Sequence, residues 1–182
     1  MGGQTDVTVQ RTEDLSPAVR ARIIDVCNAA NNTTAFHELF DFIPSGGRHA
    51  LCHMDGDLVS HAVVQTRWLQ PDGMPVLRTA FVDAVATLPR AQHRGASSAC
   101  MRALAGALDG YEVACLQTDI PGFYERLGWE VWRGPLAGRN EDGTLIPTPD
   151  QRGVMVFRLA ATPVLDLDDR LSIEVQPARI WE

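Results

Sequence analysis

The run PVLRTAFVDAVATL, at 75–88, is a long apolar strand that leads through PRAQHRG into a stretch rich in Ala, Met and Leu. Those residues favour helix, and the apolar helical pattern runs on from Cys100 to Leu108. A buried strand that ends where a helix begins restricts the chain to mixed α/β architectures. The junction is unusual in its residues. After the basic pair His93 and Arg94 come Gly95, Ala96, Ser97 and Ser98, none large enough to shield the backbone. A first helical turn has unpaired N–H groups, and here they stand open to a close approach by an anionic group.

The remaining patterns complete a single domain of 182 residues. Val19, Ile23, Ile24 and Cys27 fall at helical spacing over 16–30, with Ser16 as N-cap and Pro17 at the first helical position. A second short helix is expected from Phe36 to Phe42. Asp55-Gly56 between two apolar runs signals a hairpin. YEVACLQT reads as strand, IPGFYERLGW as a short helix closed by Gly128, and GWEVWRGP as strand again. AGRNEDGTLIPTPDQRG reads as a loop or hairpin, GVMVFRLA as strand, and Leu171–Val175 alternates. The expected order is α-α-β-β-β-α-β-α-β-β, with a mostly antiparallel N-terminal half.

The net charge of −7 comes from 16 basic and 23 acidic residues, and every basic residue is Arg. Phosphate-rich partners need clustered Lys and Arg, so nucleic acid is not the expected partner. An acidic surface mildly favours cationic substrates. No apolar run is long enough for a membrane span, and the first residues lack a signal peptide's apolar stretch, so a cytoplasmic protein is expected. Cys27, Cys52, Cys100 and Cys115 are widely spaced in apolar segments, without a CxxC. They read as buried free thiols rather than a disulfide frame. His37, His49, His53 and His61 lack metal-ligand spacing and are given no chemistry, and no metal is expected.

Gln92-His93-Arg94-Gly95-Ala96-Ser97 resembles the Gln/Arg-x-x-Gly-x-Gly/Ala signature of the GCN5-related N-acetyltransferases (GNAT), with Ser in the last small position. FYERLGW, Phe123 to Trp129, resembles that family's second signature. The resemblance implies an α/β (α+β) GNAT fold: a mixed, mostly antiparallel central sheet, splayed at the acetyl-CoA site and flanked by helices. Within the superfamily the chain is most similar to aminoglycoside 2'-N-acetyltransferases. The segments GGRHALCHMDGDLVSHAVVQTRWL, FVDAVAT, YERLGWEVWRGPL, TPDQRGVMVFRL and the closing Trp181 carry that similarity. An enzyme of this kind moves an acetyl group directly from acetyl-CoA to an amine and gives antibiotic resistance.

By that resemblance, the loop from Gln92 through His93, Arg94, Gly95, Ala96 and Ser97 to Ser98 binds the coenzyme A pyrophosphate. The strand Asp83-Ala84-Val85-Ala86-Thr87 lends backbone groups at Val85 and Thr87 to the pantetheine arm. Asp83 stands where the family has a Glu that acts on the amine through water. Its shorter side chain leaves open whether it takes the amine proton, directly or through water, or only orients the amine. Tyr124 takes the family's place beside the coenzyme sulfur, where its hydroxyl could protonate the departing thiolate.

For the acceptor, the resemblance points to Phe36, Glu38, Asp41, Asp83, Gln117, Gln151, Arg152, Arg179, Trp181 and Glu182. Two of these depart from an all-acidic polycation site. Arg179 stands where relatives have an acid, and Gln151 replaces another. An acceptor bearing both an amine and a carboxylate fits that change, and kasugamycin, an atypical aminoglycoside, is such a molecule. The competing readings are a GNAT enzyme for another small amine or a protein N-terminus, and a non-catalytic coenzyme A-binding module. A homodimer is expected from the resemblance alone.

Overall fold

A computed structural model describes residues 5–177 and 179–181. These fall into two compact units. One comprises the chain up to Gln65 together with Val82–Asp109, and the other comprises Thr66–Phe81 and the chain from Gly110 onward.

In the first unit, β1 (Thr5–Arg11) opens the chain, followed by helix α1 (Pro17–Asn31) and the short α2 (Leu39–Phe42) after a 3-10 turn at Ala35–Glu38. The Ser16 side chain caps α1 by accepting the Val19 N–H at 3.3 Å, and Asn32 ends it in the left-handed region at φ +49°. Ile23, Val26 and Cys27 are the buried face of α1. Strand β2 (Arg48–Met54) pairs antiparallel with β1 and with the start of β3 (Asp57–Pro71). Between β2 and β3, Asp55 and Gly56 both take positive φ, +53° and +83°, as a type I′ hairpin turn requires. The β2–β3 ladder carries a bulge between Cys52 and His53. The end of β4 (Leu77–Thr87) and helix α3 (Ala96–Ala105) complete the unit. Helix α3 packs on β1 and β2 and buries Ala96, Cys100, Met101 and Leu104.

In the second unit, β4 pairs parallel with β5 (Val113–Gln117) over Thr79–Phe81, and helix α4 spans Pro121–Glu125. Strands β6 (Glu130–Val131), β7 (Leu136–Arg139), β8 (Leu145–Pro147), β9 (Val154–Arg158) and β10 (Leu171–Glu174) follow. β9 lies antiparallel to both β5 and β6. β10 is antiparallel to the end of β3 and parallel to β7, which forms a hairpin with β8. Leu69, Phe81, Val113, Val156, Ile173 and Trp181 are among the buried residues that form its core. Buried Arg67 fixes the C-terminal segment: Nε donates to Glu174 Oε1 at 2.6 Å, and Nη2 to the carbonyls of Glu174 and Ile180 at 2.8 and 2.9 Å.

The α/β class, the mixed sheet and the antiparallel N-terminal strands agree with the sequence reading. Three elements differ. β1 precedes the first expected helix, because its polar run TDVTVQR becomes a strand only through pairing with β2. Helix α3 starts at Ala96 and ends at Ala105, three residues short of Leu108. The strand expected from GWEVWRGP stops at Val131. There the chain leaves the ladder, and Arg133 and Gly134 donate to the Leu167 carbonyl at 2.8 and 2.9 Å. A Cβ on Gly134 would stand 1.9 Å from the Asp169 carbonyl oxygen, so only glycine can make that approach. All four cysteines are buried and free. No helix among the described residues is long and apolar enough to cross a membrane. No group of three or more His, Cys, Asp and Glu among them could hold a metal ion.

Candidate functional site

In the first unit the expected cofactor segment lies at the start of α3. His93 and Gly95 take positive φ, +58° and +85°, on either side of Arg94, an alternation that turns successive backbone N–H groups toward one concavity. Gly95 is the N-cap of α3 and has no side chain with which to close the first turn. The ladder of α3 begins with Ala99 N–H donating to the Gly95 carbonyl at 2.9 Å, leaving the N–H groups of Ala96, Ser97 and Ser98 ahead of it. No atom lies within 4 Å of a Cβ placed on Gly95, so its left-handed backbone rather than crowding is what favours glycine there. A helix end with partial positive charge and N–H groups unpaired within the helix suits an anion. His93, Arg94 and Gly95 are exposed, as is Gln92, whose amide donates to the Thr87 carbonyl at 3.3 Å. That contact turns the Gln92 side chain onto the chain's own backbone.

Upstream, β4 is distorted where chemistry was expected. Ala84 sits at φ +47°, a conformation a β-carbon disfavours. Its N–H donates to Asp83 Oδ1 at 2.7 Å, while Asp83 Oδ2 accepts from Gln65 Nε2 at 3.1 Å. Asp83 is thus a half-buried carboxylate held from two sides. Ser60 Oγ donates to the Ala86 carbonyl at 2.9 Å and meets Thr87 Oγ1 at 2.7 Å, which fixes the strand end. Val85 is half-buried between these held residues.

The Ala84 carbonyl is held from behind. His61 Nδ1 lies 2.9 Å from it, His49 Nδ1 lies 2.9 Å from His61 Nε2, and Thr12 Oγ1 lies 3.0 Å from His49 Nε2. Both imidazoles are fully buried. Burial, with a smaller contribution from His61 and Arg20, lowers the His49 pKa to about 3, and burial lowers that of His61 to about 4. Both rings are neutral at physiological pH. The sequence reading gave these histidines no role.

In the same unit, Phe36 is half-buried and its N–H donates to Asn28 Oδ1 at 3.1 Å, while Glu38 and Asp41 are exposed. Glu38 lies 3.4 Å from His37.

In the second unit, Gln117, Gln151 and Arg152 come together in one open cleft of about 620 Å³. Asp119, Thr148 and Asp150 also line it. Both glutamine amides donate to the Arg152 carbonyl, at 3.3 Å from Gln117 and 3.0 Å from Gln151. Gly153, at φ +72°, backs this loop: a Cβ there would stand 1.8 Å from the Thr118 carbonyl oxygen. Arg179 is half-buried, and its backbone forms an isolated antiparallel bridge with Gln176. Trp181, expected at the acceptor, has its side chain inside the second unit. The indole is only 1% exposed, lies in the core, and donates to Thr148 Oγ1 at 3.1 Å. Glu182 lies outside the described residues.

Tyr124, on α4, is 6% exposed and meets Phe123 and Trp129 edge-on, at centroid distances of 4.8 and 6.2 Å. Burial pushes its hydroxyl up to about 12, so it stays protonated at neutral pH.

The sequence model of the acetyltransferase (GNAT) domain matches residues 12–132. Among solved structures, the chain is similar to Eis1 from Mycobacterium abscessus, with 26% identity and a TM-score of 0.60. That match covers 74% of this chain and 33% of Eis1, so the chain spans about a third of that protein's length. It is also similar to the GNAT family N-acetyltransferase YhbS from Escherichia coli, solved in complex with CoA. There the identity is 17%, the TM-score 0.68, and the coverage 97% of this chain and 92% of YhbS. The ribosomal-protein-S18-alanine N-acetyltransferase from Escherichia coli matches at 17% identity and a TM-score of 0.59, over 88% of this chain and 97% of its own. These last two likenesses concern the fold.

Proposed function

The chain belongs to the acetyltransferase (GNAT) domain family, and from that premise we propose that it is an acetyl-CoA-dependent N-acetyltransferase acting on an amino group of an aminoglycoside. The observation that carries the cofactor is the start of α3, where Gly95 caps the helix without a side-chain hydrogen bond and the N–H groups of Ala96, Ser97 and Ser98 precede the helical ladder. Arg94 adds charge at the same loop. Acetyl-CoA supplies an acetyl group activated as a thioester.

The chain's own residues then divide the work. Asp83 binds and orients the incoming ammonium and receives its proton, directly or through water, on a carboxylate fixed by Gln65 and the Ala84 N–H. The Val85 and Thr87 backbone aligns the pantetheine arm. Tyr124 keeps its proton in an apolar surround and gives it to the leaving thiolate. The reading extends to antibiotic resistance and a homodimer, as the aminoglycoside resemblance implies.

The acceptor proposed first is an aminoglycoside with both an amine and a carboxylate, as in kasugamycin. The cleft lined by Arg152, Asp119 and Asp150 supports it, since it offers charges of both signs to a zwitterionic ligand. The test is acetyl-CoA turnover against an aminoglycoside panel that includes kasugamycin, with mass spectrometry of each product. Acetylated kasugamycin is the expected result. Rapid acetylation of gentamicin or tobramycin with none of kasugamycin overturns the choice of acceptor. Turnover only on peptides or other small amines overturns the aminoglycoside reading.

A further inference from the structure

We propose that His61, aligned by His49 and Thr12, is a positioning residue for acetyl transfer: its Nδ1–H holds the Ala84 peptide in the left-handed conformation that presents Asp83 and the Val85 N–H. This rests on the function proposed above and adds to it a line of residues behind β4.

The hydrogen-bond directions follow from one fixed end. The Ala84 carbonyl only accepts, so His61 Nδ1, 2.9 Å away, carries the proton. A neutral His61 then presents a lone pair at Nε2, and His49 Nδ1, 2.9 Å away, must be the donor. His49 Nε2, left without a proton, accepts the Thr12 hydroxyl at 3.0 Å, a shorter contact than the 3.3 Å from the same hydroxyl to the Gly47 carbonyl. One carbonyl thereby sets the tautomer of two buried rings and the orientation of a hydroxyl. Both imidazoles are Nδ1–H tautomers, the minor form of free histidine.

The surroundings leave these rings little other freedom. Phe40 stacks on His49 with centroids 5.7 Å apart, and the guanidinium of Arg20 lies over the Phe40 ring at 4.9 Å. From α1, Cys27 Sγ lies 3.8 Å from His61 Nδ1 and 3.9 Å from the Ala84 carbonyl. From β4, Asp83 is the charged group that acts on His61 and Cys27. Ala84 is thus gripped at both polar groups, by Asp83 at its N–H and by His61 at its carbonyl. A non-glycine residue at φ +47° persists only where its surroundings over-determine it, and here the restraint comes from side chains.

The experiment has two arms. Nitrogen-15 NMR of histidine-labelled wild-type protein, with no substrate present, reads the tautomers directly. Nδ1–H at both His49 and His61 is expected, and Nε2–H at either overturns the proposal. In the second arm, His61→Leu is compared with His61→Asn, whose amide can restore a donor near the Nδ1 position. With any amine the wild-type protein acetylates, the Leu variant is expected to lose about tenfold or more in kcat while acetyl-CoA affinity stays within about threefold. The Asn variant is expected to recover most of that loss. Wild-type kcat in a folded Leu variant, or equal loss in both folded variants, overturns the proposal. If His61→Leu does not fold, the tautomers decide. A wrong acceptor leaves the NMR arm intact, so failure of the functional reading and failure of this one are distinguishable.

Discussion

The amide of Gln65 donates to Asp83 Oδ2 at 3.1 Å from a position only 2% exposed to solvent. The carboxylate proposed to meet the amine is therefore oriented by a buried neutral donor. Replacing Gln65 with Leu removes that donor at similar volume. The expected outcome is a fall of about tenfold in kcat/KM for the amine, with acetyl-CoA affinity unchanged, measured by steady-state kinetics and calorimetry. An unchanged kcat/KM would show that Asp83 needs no help from Gln65.

Tyr124→Phe separates packing from proton donation. The ring keeps its contacts with Phe123 and Trp129 and loses only the hydroxyl. Turnover is expected to fall by about 100-fold while acetyl-CoA binding changes by less than about threefold. Equal turnover removes the general-acid role from Tyr124.

Gly153→Ala places a methyl group into the Thr118 carbonyl at a residue whose φ is +72°. The loop and the end of β5 must separate, disturbing the cleft lined by Gln117, Asp150 and Arg152. A loss of about 2–3 kcal/mol in unfolding free energy and a raised KM for the amine are expected, read by urea denaturation and kinetics. A variant as stable as wild type would mean that the loop can move without cost.

Acid should destabilise the protein before its carboxylates titrate. His49 and His61 have folded pKa values lowered to about 3 and about 4, against about 6.5 when unfolded. Stability is complete above the unfolded value and declines as pH falls, because only the unfolded chain takes up these protons. Each ring contributes about 1.4 kcal/mol per pH unit, so the pair costs about 3 kcal/mol at about pH 5.5. Urea midpoints measured between pH 7.5 and 5.5 should show this, and His61→Asn should remove about half of it. A slope unchanged by that substitution would place the acid sensitivity elsewhere.

The sequence exposed the parts of this molecule that rest on local chemistry. Ser16 with Pro17, Asp55-Gly56 and Gly95 each impose a backbone conformation by themselves, and the structure has all three. The parts that depend on pairing stayed hidden. β1 is polar and becomes a strand only against β2. The His49–His61 contact depends on the bulge between Cys52 and His53. An unbroken two-residue hairpin would set His61 opposite Ala50 and turn His49 to the other face. The bulge sets His61 opposite Leu51, and one residue of shift brings both imidazoles to one side. The burial of the Trp181 indole was hidden for a similar reason, since it depends on residues distant in the chain such as Thr148.

The buried cysteines have a practical consequence at the bench. Cys27 and Cys100 are pushed up to about 12 by burial, and Cys52 and Cys115 are raised as well. Thiolate, the form that attacks an aromatic disulfide dye, is therefore scarce in the folded chain at assay pH. Such a dye will register a liberated coenzyme thiol against an almost silent protein background. Once the substrate is exhausted, the same cuvette becomes an unfolding clock, because the four protein thiols react only when the core opens.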